Sequence, residues 1–160
     1  MTDQPFTAQL ELDDLADTDT LGASIARLLA PSFVLCLSGP LGAGKSELAR
    51  AILRHGCGET GDIPSPTFTL VQTYEATSPH EMAGLEVWHM DLYRLEHPEE
   101  VLELGIEDAF IDAACLIEWP DRLGPYLPRG ALHLSIDFGA QTEQRVIRIS
   151  GPQTLVRQLI

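Results

Sequence analysis

One octapeptide limits what this chain can fold into more than any other feature. Gly39-Pro40-Leu41-Gly42-Ala43-Gly44-Lys45-Ser46 fits the pattern G-x-x-x-x-G-K-[ST]. Its surroundings fit as well. Phe33 to Leu37 is a short continuous apolar run, the mark of a strand covered on both faces. Lys45 to His55 spaces Leu48, Ala51 and Ile52 for burial on one helical face, with Gly56 as the expected stop. Glycines let successive N–H groups turn inward onto phosphate oxygens, and the following helix presents its positive end to them. Lys45 is expected to reach the β- and γ-phosphates of a nucleotide, and the Ser46 hydroxyl to bind magnesium. The expected ligand-binding set is Gly39, Leu41, Gly42, Ala43, Gly44, Lys45, Ser46 and Glu47, while Pro40 has no N–H to offer.

Composition sharpens this reading at one point. Lys45 is the only lysine, and arginine supplies every other basic side chain. A compact ammonium on a flexible stem fits the end of a phosphate loop where a planar guanidinium is larger. The formal net charge of -14 argues against direct binding to a nucleic-acid backbone, which needs basic side chains to displace counterions. It suits a basic protein partner instead. The three cysteines, Cys36, Cys57 and Cys115, are too scattered for a disulfide scaffold or a zinc site. Cys36 and Cys115 read as buried, and Cys57 as a free surface thiol. Met1 to Leu10 lacks the basic start and apolar centre of a secretory signal, and no apolar run approaches a membrane span, so the cytoplasm is the expected location.

The remaining segments assemble around the loop. Phe6 to Leu12 alternates as a strand. Asp17 to Asp19 offers N-caps to a helix that spaces Leu21, Ile25, Leu28 and Leu29 on one face. Thr67 to Tyr74, rich in β-branched and aromatic residues, and Leu85 to Leu92 read as strands. Pro98 opens a short acidic helix that Gly105 ends, and Ile106 to Asp112 reads as a second helical turn. Ala114 to Ile117 is another buried run. Pro120 to Pro128 reads as loop or broken helix. Leu132 to Phe138 and Arg145 to Ile149 read as an antiparallel hairpin, and a small helix is expected between Pro152 and Ile160. The sum is an α/β, P-loop NTPase-like three-layer fold with a central mixed sheet and an antiparallel C-terminal hairpin, as one domain over residues 1–160.

A P-loop needs a further acid for its metal, from the end of a neighbouring strand. Asp91 and Glu118 both end apolar runs, and ligands collect at the carboxyl ends of strands in open α/β sheets. Either acid can hold magnesium, directly or through water, while the other orients the attacking water. Thr67, in Ser65-Pro66-Thr67-Phe68, can close over the γ-phosphate as switch segments do. His89 shares a strand face with Asp91 and reads as structural, and Trp119 as a packing or site-lining residue.

Four segments together resemble the bacterial TsaE (YjeE) family. They are the octapeptide, Ser65-Pro66-Thr67-Phe68-Thr69-Leu70-Val71, His89-Met90-Asp91-Leu92-Tyr93-Arg94-Leu95 and Leu116-Ile117-Glu118-Trp119-Pro120, and the resemblance runs from Thr18 to Ile149. It implies an ATP-binding, magnesium-dependent ATPase acting in threonylcarbamoyladenosine modification of tRNA beside the anticodon. The implied partners are TsaD and TsaB, with tRNA met only through them and no membrane involved. Hydrolysis to ADP is implied to be weak without those partners. Glu118 matches the family's metal-associated Glu, Asp91 the Asp of its Asp-Leu-Tyr-Arg segment, and Thr67 its switch-like threonine. Pro40 and Ser46 depart from the family's frequent Asp and Thr, and Ser46 keeps the hydroxyl.

Two other classes fit the loop alone. A small-molecule kinase would use basic lid residues, for which Arg122 and Arg129 are placed. A GTPase switch would need an Asn-Lys-x-Asp guanine motif, and the chain has no asparagine and no second lysine. Asp121-x-x-Gly124 fits the other GTPase pattern in form only.

Overall fold

The computed structural model describes residues 5–160; the first four residues of the Met1 to Leu10 stretch lie outside the described residues. Seven strands form one sheet: β1 (Phe6–Leu12), β2 (Val34–Ser38), β3 (Val71–Glu75), β4 (Glu86–Asp91), β5 (Ala114–Glu118), β6 (Leu132–Phe138) and β7 (Arg145–Gly151). Their spatial order is β1-β7-β6-β2-β5-β4-β3. The middle four, β6, β2, β5 and β4, run parallel. β7 and β1 extend one side antiparallel, and β3 closes the other the same way. The expected mixed sheet and C-terminal hairpin are both present.

Burial explains the parallel centre. Along β2, Leu35 and Leu37 face one layer while Val34 and Cys36 face the other. The first layer holds helices α1 (Leu15–Ala26) and α2 (Lys45–Cys57). The second holds α3 (Ile106–Asp112) with the 3-10 turns Pro98–Leu104 and Pro120–Tyr126. Each fully buried aliphatic side chain, such as Ile25, Leu48 or Ile117, contributes about 1.5–3 kcal/mol. A last short helix, α4 (Gln153–Val156), follows β7.

Several boundaries differ from the sequence reading. Helix α1 is capped by Asp14 rather than by Asp17 to Asp19, because the Asp14 carboxylate accepts the Asp17 N–H at 3.0 Å. The Asp17 carboxylate accepts the Asp13 N–H in return, at 2.8 Å. Leu28 and Leu29 are buried but lie past the helix end. Helix α2 runs through Gly56 and stops at Gly58, whose φ of +66° suits glycine. Gly56 is needed for space instead: a Cβ there would lie 2.6 Å from Leu29 Cδ1. The strand expected from Thr67 begins only at Val71, since a turn over Pro66–Leu70 closes with the Leu70 N–H donating to the Pro66 carbonyl at 2.7 Å. Cys57 is buried rather than exposed. Burial pushes its thiol, like those of Cys36 and Cys115, up to about 12.

Candidate functional site

The octapeptide turns from the end of β2 into the start of α2. Gly39 has φ +143°, and a Cβ there would collide with the Ile136 carbonyl of β6. Gly44, at φ +112°, is the N-cap of α2 and has no side chain to cap with. The first N–H groups of α2 therefore remain available to an anion. Lys45 folds back over the loop, donating from Nζ to the Gly39 carbonyl at 2.6 Å and the Pro40 carbonyl at 3.0 Å. Its ammonium also stands 4.4 Å from the centre of the Trp119 ring. Burial lowers the Lys45 pKa, and the charges of Glu118 and Asp91 act in the opposite sense. Leu41 is exposed at the loop tip, and Ala43 is buried beneath it. Glu47 pairs with Arg50 at 2.9 Å.

Strand register brings the two acids beside this loop. Glu118 lies opposite Leu37 on β2 and opposite Asp91 on β4. Ser46 Oγ donates to Glu118 Oε1 at 2.8 Å, across 72 residues of chain. Glu118 Oε2 meets His89 Nε2 at 2.7 Å inside the sheet. Asp91 accepts from the Tyr93 N–H and from Thr67 Oγ1, each at 3.1 Å. Ser65 Oγ stands 2.9 Å from Thr67 Oγ1, which ties the Ser65–Thr67 segment to the same acid. Thr67, Asp91 and Glu118 thus stand with Lys45 and Ser46 around one mouth. Asp91 and Glu118 are both almost completely buried there, with one carboxylate oxygen each turned toward the loop hydroxyls.

Two cavities flank the loop. The first, about 410 Å³, is bordered by the polar side chains Lys45, Ser46, Thr67, Asp91 and Glu118 together with the Trp119 ring. The second, about 320 Å³, lies on the far side of Gly42–Gly44 and is lined by Leu12, Leu15, Thr18, Ile136, Ile147 and Arg145. Glu47 borders both. Thr18 lines the second cavity from within α1.

Sequence reading missed four contributors. Tyr93 packs its ring 5.0 Å from that of Trp119, and Arg94 lays its guanidinium 4.4 Å from the Phe68 ring, so both close the first cavity. Arg145 donates from Nε to the Ala43 carbonyl at 2.8 Å, bracing the loop from β7 across 102 residues. His89 was read as structural and instead touches Glu118. For Tyr93 and Arg94 the adjacency to Asp91 was the available signal; for Arg145 and His89 only strand register shows the contact. The kinase lid candidates Arg122 and Arg129 are exposed and line neither cavity, and the same holds for Asp121.

Comparison with known proteins bears on the family and the fold. The family model described as threonylcarbamoyl adenosine biosynthesis protein TsaE matches residues 12–147. The tRNA threonylcarbamoyladenosine biosynthesis protein TsaE of Rickettsia bellii is 37% identical over 133 residues, covering 83% of this chain and 88% of the relative. The protein of the same name from Haemophilus influenzae is 42% identical over 108 residues, covering 67% of this chain and 64% of its own. The crystal structure of Bacillus subtilus YdiB superposes with a TM-score of 0.77 at 24% identity, covering 98% of this chain and 95% of that one, which shows the fold.

Proposed function

This chain belongs to the TsaE family of threonylcarbamoyl adenosine biosynthesis proteins, and on that premise we propose that it binds ATP with magnesium and hydrolyses it in the service of that tRNA modification. The observation that carries the proposal is the Ser46–Glu118 contact at 2.8 Å, beside a lysine held over a glycine loop. A hydroxyl and a carboxylate oxygen facing each other are the donor set that a magnesium ion takes from protein when phosphates and water complete its shell. The residues present therefore fit the ion, and Ser46 and Glu118 would hold it. Magnesium held there would supply the positive charge that offsets the charge of the phosphates.

The chain's own groups do the rest. Backbone N–H groups from Gly42 to Ser46 bind phosphate oxygens at the start of α2. The Lys45 ammonium leaves the Gly39 and Pro40 carbonyls for the β- and γ-phosphates, exchanging neutral acceptors for charged ones. Asp91 orients the attacking water, and Thr67 holds its second oxygen in place. The base lies in the apolar cavity, between Leu12, Ile136 and Ile147, with the Arg145 guanidinium at its edge.

The partners are a TsaD–TsaB pair, with tRNA met only through them; the charge of -14 supports this division of labour. ATP hydrolysis by the pure chain, with and without that pair, is the test. Marked stimulation is the expected result. ATP binding without stimulation would overturn the partner assignment, and no ATP binding would overturn the nucleotide assignment.

A further inference from the structure

The side chain of His89 is wholly buried, and its Nε2 lies 2.7 Å from Glu118 Oε2. An ionised carboxylate only accepts, so Nε2 carries the hydrogen and donates. The other ring nitrogen, Nδ1, has no hydrogen-bond partner among the described residues. A buried lone pair lacking a donor is tolerated better than a buried N–H lacking an acceptor, which identifies the Nε2–H tautomer. The imidazole thus has a single polar contact, and it is with Glu118. The two oxygens of that carboxylate consequently have different roles: Oε2 is held from inside the sheet, while Oε1 faces Ser46 and the cavity at 2.8 Å.

We propose that His89 is a positioning residue that leaves Glu118 with one oxygen, Oε1, facing the cavity and so sets the cation preference of the site toward magnesium over calcium. This rests on reading Ser46 and Glu118 as cation ligands. Magnesium demands a compact octahedron and is satisfied by single carboxylate oxygens; calcium takes six to eight oxygens and favours carboxylates that chelate with both. Chelation with both would set the cation in competition with His89, whose hydrogen bond already takes one of the two lone pairs of Oε2. Ser46 anchors Oε1 from the helix and His89 anchors Oε2 from the strand, so the carboxylate plane is fixed from two sides.

The test measures ADP affinity by calorimetry as magnesium chloride or calcium chloride is titrated, on the full chain and on H89L, H89F and H89Q. Solution complexes of ADP with either cation are common to all four proteins and cancel in the comparison. In H89L and H89F, which lack the donor and fill the site with different shapes, the calcium-to-magnesium preference is expected to narrow about tenfold or more, within the range typical of groups that hold a metal ligand. ADP affinity without cation is expected to stay constant, which a merely structural defect would not allow. H89Q, whose amide can donate to Oε2, is expected to restore the preference. Circular dichroism identifies which donor-less variant is folded, and one folded variant suffices. An unchanged preference in that variant, or an H89Q preference as narrow as its own, overturns the proposal. If the unsubstituted chain binds ADP with no response to either cation, the reading of Ser46 and Glu118 as ligands fails first, and the role of His89 fails with it.

Discussion

The ends of β4 and β5 differ in a way that their sequences do not suggest. Both finish in an acid, in register with each other, and both acids are almost completely buried. Glu118 is bound to the sheet interior through His89 and to the first turn of α2 through Ser46, two parts of the core. Asp91 is bound to the Tyr93 backbone and to Thr67, which belongs to the turn joining α2 to β3. One acid is fixed by elements; the other is fixed by a loop. Of the two acids, only Asp91 is hydrogen-bonded to the Thr67 segment. The proposed ATPase would use this division to hold its cation steadily while its competence for hydrolysis changes.

Substitutions sharpen or break that contrast. The largest expected effect is at the loop-held acid: Asp91→Asn lowers ATP turnover about 100- to 10,000-fold with ADP affinity retained, as measured by phosphate release and calorimetry. Retained turnover would remove Asp91 from the chemistry. Lys45→Ala takes away the cation whose charge faces both acids and weakens ATP binding by about 2–5 kcal/mol. Full affinity in that variant would break the P-loop assignment itself. Glu118→Gln is expected to cost about 10- to 100-fold in the magnesium dependence of ADP affinity, with little change in metal-free binding. Thr67→Ala removes one hydrogen bond to Asp91, about 1 kcal/mol, so turnover falls several-fold while magnesium dependence stays intact. An equal loss of magnesium dependence would show that the two acids are not held independently. The smallest effect concerns the far face of the sheet, packed against α3. Cys36 and Cys115 are buried there with pKa values of about 12, so the folded chain is expected to resist thiol reagents at about pH 8 and to react only on unfolding.

What was legible in the sequence follows the range of each interaction. The loop, β2 and α2 were readable because glycines, a lysine and an apolar run act on immediate neighbours. Both acids were readable as strand ends. Thr67 to Leu70 was misread because β-branched residues favour a strand, yet Leu70 takes φ +66° and the segment closes into a turn. Gly56 was misread because a glycine near a helix end usually stops it, whereas here the missing side chain makes room for Leu29. His89 and Arg145 act through strand register over 29 and 102 residues, and nothing local in the sequence encodes which strands become neighbours.

Helix α1 meets α2 at Gly22, where a Cβ would run into Ala51, so no side chain cushions the two backbones. Thr18 of α1 lines the apolar cavity and Ser46 of α2 lines the polar one. The two helices therefore work as a ruler of fixed length. A molecule whose flat apolar end and charged tail are spaced to that length fills both cavities at once. Under the proposed nucleotide reading, one that is longer or shorter would satisfy a single cavity, and the fold would measure it before any reaction begins.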